Sequence, residues 1–138
     1  MLDTRHTSGL TYGFFGDTAV DKMYMEEAVF DWQSNLDDMA DKLGDIPLLY
    51  QPGTKWHYSV STDMLGYIVE QVSGQPLDKF FEDRIFIPLG MKDTAFYVPA
   101  EKVDRFAVCY GPSSNQLFTI RFLSNARTRG LAKAFLGF

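Results

Sequence analysis

The amino-acid sequence predicts a mainly α-helical protein with little β-sheet. Apolar residues recur at helical spacing in four stretches between residues 17 and 90. Glycine and proline interrupt the sequence between these stretches, where helices commonly stop. The alternation typical of β-strands is confined to two short segments, residues 94–98 and 117–123.

Length and composition fit one globular domain. The chain has 138 residues, of which 46% are hydrophobic and 15% aromatic, enough for a sizeable core. A formal net charge of −5 and a pI near 4.9 argue against a surface for nucleic acid or anionic membranes, since both need clustered lysine and arginine. No apolar run approaches the roughly 18 residues of a membrane span. We therefore expect neither nucleic acid nor a membrane as a partner.

The location of the protein is inferred from what the sequence lacks. The single cysteine, Cys109, cannot form an internal disulfide. The beginning of the chain does not show the charged and apolar regions of a signal peptide. A cytoplasmic location is the default expectation, and a lost leader stays an open alternative.

Charge is distributed unevenly along the chain. Residues 1–104 carry all 18 acidic residues and 8 of the 13 basic ones, whereas residues 105–138 carry 5 basic residues and no acidic one. The change falls close to Tyr110-Gly111-Pro112, and the following Ser113-Ser114-Asn115 is typical of a loop. We therefore divide the chain into a helical region, residues 1–112, and a basic tail of different origin or role, residues 113–138.

Two predicted helices follow a glycine-rich loop at residues 1–17. Asp17 or Thr18 caps the first helix, which runs to about Trp32. Ser34 or Asn35 caps the second. Its apolar face consists of Leu36, Met39, Ala40 and Leu43, and its acidic face of Asp37, Asp38 and Asp41. Gly44 then ends the helix.

The third predicted helix is the longest. Ser61 or Thr62 caps its start, and Ser73-Gly74 ends it. Its apolar stripe consists of Val60, Met64, Leu65, Ile68, Val69 and Val72. A fourth helix begins at Pro76, where the missing N–H costs nothing. One side of it carries Leu77, Phe80, Phe81 and Ile85, before Pro88 and Gly90 close it.

Tyr58 is the candidate proton-transfer residue. It lies between the Pro52-Gly53 turn and the start of the third helix. Partial positive charge at a helix N-terminus stabilises a phenolate, and Lys55, three residues away, is expected to add to this effect. A tyrosine so placed suits a general base. The alternative is a ring packed under the turn with its hydroxyl on a backbone partner, and spacing alone leaves both open.

The N-terminal loop contains His6-Thr7-Ser8-Gly9, in which a histidine and a serine suggest a base and a nucleophile. The two side chains are too close in sequence for their pairing to indicate a catalytic base and nucleophile, and no Gly-x-Ser-x-Gly turn is present. We predict instead that His6 and Ser8 satisfy backbone groups of the loop. His6 and His57 lack the spacing of a metal site, so neither a metal nor a cofactor is predicted.

Four segments carry a resemblance to a known family. They are His6-Thr7-Ser8-Gly9-Leu10, residues 52–59, residues 65–77 and Ile87-Pro88-Leu89-Gly90-Met91-Lys92-Asp93-Thr94. As a set spanning about residues 4–111, they resemble the serine β-lactamase and penicillin-binding-protein superfamily, in particular its class C β-lactamase-like (family VIII) esterases. The resemblance implies the helical domain of the β-lactamase/transpeptidase-like α+β fold, with one wall of the active site.

The resemblance also implies a chemistry. In that family the serine of a Ser-x-x-Lys motif attacks an ester or β-lactam carbonyl, and a motif tyrosine shares proton transfer with the lysine. Carried over, this tyrosine is Tyr58, and the ligand is a small ester or β-lactam-like molecule. Val60 stands where the class C enzymes have asparagine, which favours an esterase.

The sequence also departs from the family pattern. No serine is followed by lysine three positions later, and neither Lys-Thr-Gly nor His-x-Gly occurs. We therefore expect an internal fragment that is inactive alone, and a non-catalytic helical binding or self-assembly module is the open alternative. Faces that the family packs on its sheet, including the Phe14-Phe15 loop and Tyr58, are expected to be exposed and to favour a homodimer.

Overall fold

Four α-helices are the main elements of the computed structural model, which describes residues 2–31, 33–107, 109–111 and 118–120. The helices are α1 (Ala19–Glu26), α2 (Leu36–Gly44), α3 (Ser61–Ser73) and α4 (Leu77–Phe81). Shorter helical turns lie at Asp3–Arg5, Glu82–Phe86 and Ala100–Arg105. The prediction of a mainly helical fold is confirmed.

Capping boxes begin both α1 and α2. The Thr18 hydroxyl accepts the Asp21 N–H, and the Asp21 carboxylate accepts the Thr18 N–H. Asn35 and Asp38 make the same reciprocal pair at α2. Each cap is one of the two residues that the sequence offered. The buried face of α2 consists, as predicted, mainly of Leu36, Met39 and Leu43.

Helix α1 ends earlier than predicted. It stops at Glu26 and not near Trp32, which lies outside the described residues. The reason is Ala28, which adopts a left-handed conformation with a φ of 46°. The turn then closes through a hydrogen bond from the Val29 N–H to the Tyr24 carbonyl, 3.1 Å long, as in a Schellman motif. This turn buries Val29 and Tyr24 together in the core.

Helix α3 begins without a side-chain cap. Its N-cap is the fully buried Val60, so the prediction that Ser61 or Thr62 caps it is wrong. The Ser61 hydroxyl bonds to other side-chain hydroxyls. The helix ends as predicted at Gly74, whose φ is 67°. Val72 is 84% exposed and does not belong to the buried stripe.

Helix α4 packs closely against α3. Pro76 precedes it, and the Leu77 N–H donates to the Glu70 carboxylate of α3 at 2.6 Å. A Cβ on Gly66 would lie 2.9 Å from Leu77 Cδ2, so this glycine permits the close approach. After α4 the chain continues into a π-helical turn, and its aromatic residues meet in a cluster of Phe81, Phe86 and Phe96.

The strand predictions are partly wrong. Residues 94–98 do not form a strand, because the Thr94 N–H closes a turn on the Met91 carbonyl. Strand β1 (Cys109–Gly111) pairs antiparallel with β2 (Phe118–Ile120). Strand β2 lies within the predicted segment 117–123, of which the other residues are outside the described part. Strand β1 stands where a loop was expected to begin.

The core lies between the N-terminal loop, α1, α2 and the start of α3. Its buried apolar members are Tyr12, Tyr24, Val29, Leu36, Met39, Leu43, Ile46, Val60 and Leu77.

The N-terminal loop at residues 6–11 runs beside residues 49–60 and is joined to them by backbone hydrogen bonds. We call this set of bonds the loop pairing. In each bond an N–H of the later segment donates to a carbonyl of the loop: Leu49 to Gly9 at 2.8 Å, Gly53 to Thr7 at 2.7 Å, His57 to His6 at 2.8 Å and Val60 to Thr11 at 3.4 Å.

Gly9 is required for the loop pairing. Its φ is 88°, and a Cβ built on it would lie 2.0 Å from the carbonyl oxygen of Tyr50. A backbone atom cannot move aside as the end of a flexible side chain can. Only glycine therefore allows the two segments to approach this closely.

We expect Gly9→Ala to destabilise the protein by more than about 3 kcal/mol, because it combines left-handed strain with a backbone clash. Gly44→Ala is the matched control, since nothing lies within 4 Å of the added Cβ and its φ is not positive. It should change the free energy of unfolding by less than about 1 kcal/mol. Urea unfolding measures both, and similar effects of the two substitutions would contradict the role assigned to Gly9.

Candidate active site

Tyr58 lies half-buried among aromatic rings between the Pro52-Gly53 turn and α3. Its ring centroid is 4.8 Å from that of His6, 5.0 Å from Tyr12 and 6.2 Å from Phe15. Further ring contacts join the group that we call the aromatic cluster: Tyr12, Phe14, Phe15, Phe30 and Tyr58. Tyr58 therefore packs against neighbouring rings and is still partly accessible to solvent.

The expected exposure is confirmed for the Phe14-Phe15 loop, whereas Tyr58, expected to be exposed as well, is half-buried. Phe14 is 51% exposed and Phe15 is 61% exposed. Tyr12, in contrast, is buried beneath them. The aromatic cluster therefore has an inner side in the core and an outer side that presents apolar rings to solvent.

The hydroxyl groups of Tyr12 and Tyr58 are hydrogen-bonded to each other. Burial, this hydrogen bond and the nearby Asp63 carboxylate raise the pKa of Tyr12 well above its ordinary value. Tyr12 therefore keeps its proton throughout the neutral range. A neutral phenol is thus held beside the Tyr58 side chain.

Lys55 does not support Tyr58 as the sequence suggested. Its Nζ donates to the Tyr50 hydroxyl at 3.1 Å and lies 4.3 Å from the centre of the Tyr50 ring. The ammonium group is thus directed to a neighbouring tyrosine. The polar atom beside the Tyr58 hydroxyl comes instead from Tyr12, which sequence reasoning did not select, because the two residues are far apart in the chain.

His6 bonds to the backbone on both sides of Tyr58. Its carbonyl oxygen accepts the His57 N–H at 2.8 Å, and its Nδ1 accepts the Ser59 N–H at 3.3 Å. The prediction that His6 satisfies backbone groups is confirmed. Its backbone has a φ of 51°, a left-handed conformation.

Three serine hydroxyls form a chain beneath the Tyr58 turn. Ser61 Oγ is 2.7 Å from Ser8 Oγ and 2.8 Å from Ser59 Oγ, and Ser59 and Ser61 are fully buried. Ser8 thus bonds to a hydroxyl and not, as predicted, to a backbone group. Nor does it pair with His6, whose Nδ1 is occupied by the Ser59 N–H. The chain joins the N-terminal loop to the first turn of α3.

A second polar network joins Thr11, Asp21 and His57. The Thr11 hydroxyl donates its one proton to Asp21 Oδ1 at 2.9 Å and accepts the Gly13 N–H at 3.2 Å. At its 3.2 Å contact with His57 Nε2 it must therefore accept, so that nitrogen carries the proton. Burial alone would raise the pKa of Asp21, but hydrogen bonds from Thr18 and Thr11 outweigh it and lower that pKa. Sequence reasoning missed this network.

Asp63 is a buried carboxylate in the first turn of α3. It is only 3% exposed, and burial raises its pKa to about 6, although its own backbone N–H acts in the opposite direction. Its charge also contributes to the raised pKa of Tyr12. Asp63 is therefore a charged group close to the buried Tyr12 side chain, although burial of Tyr12 has the larger effect.

Two further features are absent from the described residues. Among them there is no group of three or more histidine, cysteine, aspartate or glutamate side chains that could hold a metal ion. None of the helices in this part of the chain has the length and apolarity needed to cross a membrane.

Comparison with known proteins gives consistent matches. A family model described as Beta-lactamase matches residues 4–133. Protein Rv1367c of Mycobacterium tuberculosis (strain H37Rv) is 36% identical over 105 residues, which cover 76% of this chain and 25% of that protein. Esterase EstB of Burkholderia gladioli is 37% identical over 107 residues, covering 76% and 27%. The chain thus spans about a quarter of the length of these relatives.

A solved structure shows the same likeness in three dimensions. EstCE1, a hydrolase with promiscuous acyltransferase activity, has a TM-score of 0.73 to this chain at 31% sequence identity. The superposition covers 86% of this chain and 31% of that chain. The fold of most of this chain is therefore shared with part of that hydrolase.

Asp63→Asn is expected to change how stability depends on pH. A pKa raised to about 6 means that the folded state binds the Asp63 proton more tightly than the unfolded chain, so burial of this group destabilises the fold as pH rises from about 4 to 7. The stability of Asp63→Asn relative to wild type should therefore increase over this window, by up to about 3 kcal/mol. Urea unfolding at several pH values measures the difference.

The control for this measurement is Asp41→Asn, on the exposed face of α2. Its stability relative to wild type should stay constant over the same window. A constant difference for Asp63→Asn as well would show that Asp63 titrates alike in the folded and unfolded states.

Proposed function

The chain belongs to the β-lactamase family, and on that premise we propose that it is one portion of a serine hydrolase that prefers carboxylic esters, with Tyr58 as its proton-transfer residue. Tyr58 is half-buried, lies before the N-terminus of α3 and shares a hydrogen bond with Tyr12. This pairing of two phenols at an open surface is the observation that supports the proposal. The expected ligand is a small ester or β-lactam-like molecule.

Ester preference is supported by two further facts. Val60, the second residue after Tyr58, is apolar and fully buried, so its side chain offers no amide to a ligand. Esterase EstB is among the similar proteins, with 37% identity. Both favour ester over β-lactam hydrolysis.

We also propose that the chain alone is inactive. None of the serines in the 138 residues is followed by lysine three positions later. Ser59 and Ser61 are fully buried, and Ser8 is bonded to Ser61, so these hydroxyls near Tyr58 are engaged in structure. The nucleophile of the parent enzyme would lie outside these residues, and without it no acyl-enzyme can form.

The direct test is hydrolysis by the purified chain. With a p-nitrophenyl ester and with nitrocefin, we expect rates at background for wild type and for Tyr58→Phe alike. Robust turnover that is lost in Tyr58→Phe would overturn the proposed inactivity. Turnover that survives this substitution would also overturn the inactivity and would in addition remove Tyr58 from the mechanism.

The role of Tyr58 is tested by transplanting the segment. Residues 4–111 would replace the aligned segment of esterase EstB, which supplies the remaining parts of that enzyme. If the chimera hydrolyses p-nitrophenyl esters, Tyr58→Phe should lower kcat by about 10²-fold or more, the usual range for a general acid or base. Tyr97→Phe, at a 56% exposed position, is the matched control and should change little. Equal effects of the two substitutions would count against Tyr58.

A second candidate function is a non-catalytic binding or self-assembly module. The observation that favours it is the exposed outer side of the aromatic cluster, where Phe14 and Phe15 present contiguous apolar surface. Such a surface favours a homodimer. A module of this kind would be stabilised by a defined ligand or by its own copy, whereas an inert fragment would not.

Self-association is measured by light scattering at increasing protein concentration. We expect the mass of a dimer for wild type and of a monomer for the double variant Phe14→Ser, Phe15→Ser. Val72→Ser, at an exposed position on α3, is the control and should behave as wild type. A monomeric wild type at all concentrations would contradict this second function.

A further inference from the structure

We infer that His6 is the positioning residue for Tyr58, holding it in one orientation through a neutral imidazole that accepts the Ser59 N–H at Nδ1. This inference rests on the proposed role of Tyr58 in proton transfer. It adds a residue of the N-terminal loop to the site and gives that residue a specific tautomer. His6 does not touch the reacting atoms in this role.

His6 accepts hydrogen bonds from the two residues that flank Tyr58 in the sequence. The residue before Tyr58 donates its N–H to the His6 carbonyl at 2.8 Å, and the residue after it donates to His6 Nδ1 at 3.3 Å. The backbone is thereby fixed on both sides of the Tyr58 Cα. Because the imidazole also packs on the phenol ring, with centroids 4.8 Å apart, the same side chain restricts the ring itself.

His6 is itself anchored without help from Tyr58. Its own N–H donates to the Asp3 carbonyl at 3.1 Å, at the end of the turn Asp3–Arg5. The next residue, Thr7, accepts the Gly53 N–H at 2.7 Å. The imidazole also makes an edge contact with the Trp56 ring, with centroids 6.2 Å apart. A group fixed in this way can impose an orientation on its neighbour.

The hydrogen bond assigns the protonation state of His6. A ring nitrogen that accepts an N–H carries no proton, so the neutral imidazole must have its proton on Nε2. The imidazolium, with protons on both nitrogens, could not accept the Ser59 N–H. His6 is therefore also unsuited to serve as a base through Nδ1, because its lone pair there is already in use.

Two substitutions separate the acceptor from the ring. In His6→Asn, the side-chain oxygen can occupy a place close to that of Nδ1, and asparagine tolerates the left-handed backbone of position 6. In His6→Phe, an aromatic ring remains but the acceptor is lost. A purely steric role predicts that phenylalanine is the better replacement, whereas the positioning role predicts asparagine.

The experiment is NMR of the full chain, labelled with ¹⁵N. Long-range ¹H–¹⁵N correlations report the imidazole tautomer, amide exchange reports the Ser59 N–H, and three-bond couplings report rotation about the Tyr58 Cα–Cβ bond. In wild type we expect the Nε2–H tautomer for His6, a protected Ser59 amide and one Tyr58 rotamer. An Nδ1–H tautomer, or a Ser59 amide that exchanges as in an open chain, would overturn the inference.

In the variants, His6→Phe should speed Ser59 amide exchange by about tenfold and average the Tyr58 couplings, since the lost acceptor leaves that N–H free to open. His6→Asn should stay within about threefold of wild type. Equal behaviour of the two variants would refute the acceptor role. Should His6→Phe fail to fold, the wild-type tautomer and amide protection still decide the matter.

These measurements involve no catalysis. Equal effects of Tyr58→Phe and Tyr97→Phe on an active chimera would remove the proposed role of Tyr58 and leave the His6 geometry as observed. An Nδ1–H tautomer would remove the positioning role and leave the proposed function of Tyr58 intact.

Discussion

The structure depends on the loop pairing, the set of backbone hydrogen bonds between residues 6–11 and residues 49–60. These bonds bring an N-terminal loop against the segment that leads into α3, across a sequence separation of about forty residues or more. At Gly9 the two segments of the chain lie too close together to admit any side chain. Much of the surroundings of Tyr58 follows from this contact, because the loop supplies His6, Ser8 and Thr11 and continues directly into Tyr12.

The loop pairing also explains why so many polar side chains can be buried together. Thr11, Ser59, Ser61, Asp21 and Asp63 are all nearly or fully buried. Buried polar groups are tolerated when they bond to one another. The hydroxyl chain and the Thr11 network each join the loop to a helix, so the polar groups orient the Tyr58 turn instead of destabilising it. For Asp63 burial outweighs the hydrogen bond from its own backbone, which is why its pKa is raised.

Tyr58 lies where this polar layer meets the aromatic cluster. On one side its backbone is held by His6, and on the other its ring and hydroxyl contact Tyr12. Such a boundary between a hydrogen-bonded layer and exposed rings suits a site that must orient a reacting group and still admit an apolar ligand. The exposed Phe14 and Phe15 fit equally a surface that packs against more protein, which agrees with a chain that spans about a quarter of its relatives. The proposed boundary at residues 112 and 113 follows charge, whereas the family match runs to residue 133.

The sequence by itself determined the features that depend on neighbours along the chain. The caps at Thr18 and Asn35, the apolar face of α2 and the glycine that ends α3 are all local, and four matching segments identified the family. Only the tertiary structure decided what depends on distant residues. Helix α1 ends at the left-handed Ala28 because Val29 is buried in the core, and the Ser61 hydroxyl bonds to Ser8 and does not cap its own helix. Lys55 donates to Tyr50, and Tyr12 packs against Tyr58. Periodicity and propensity describe one segment at a time, whereas these choices arise where two segments compete for the same polar or apolar partner.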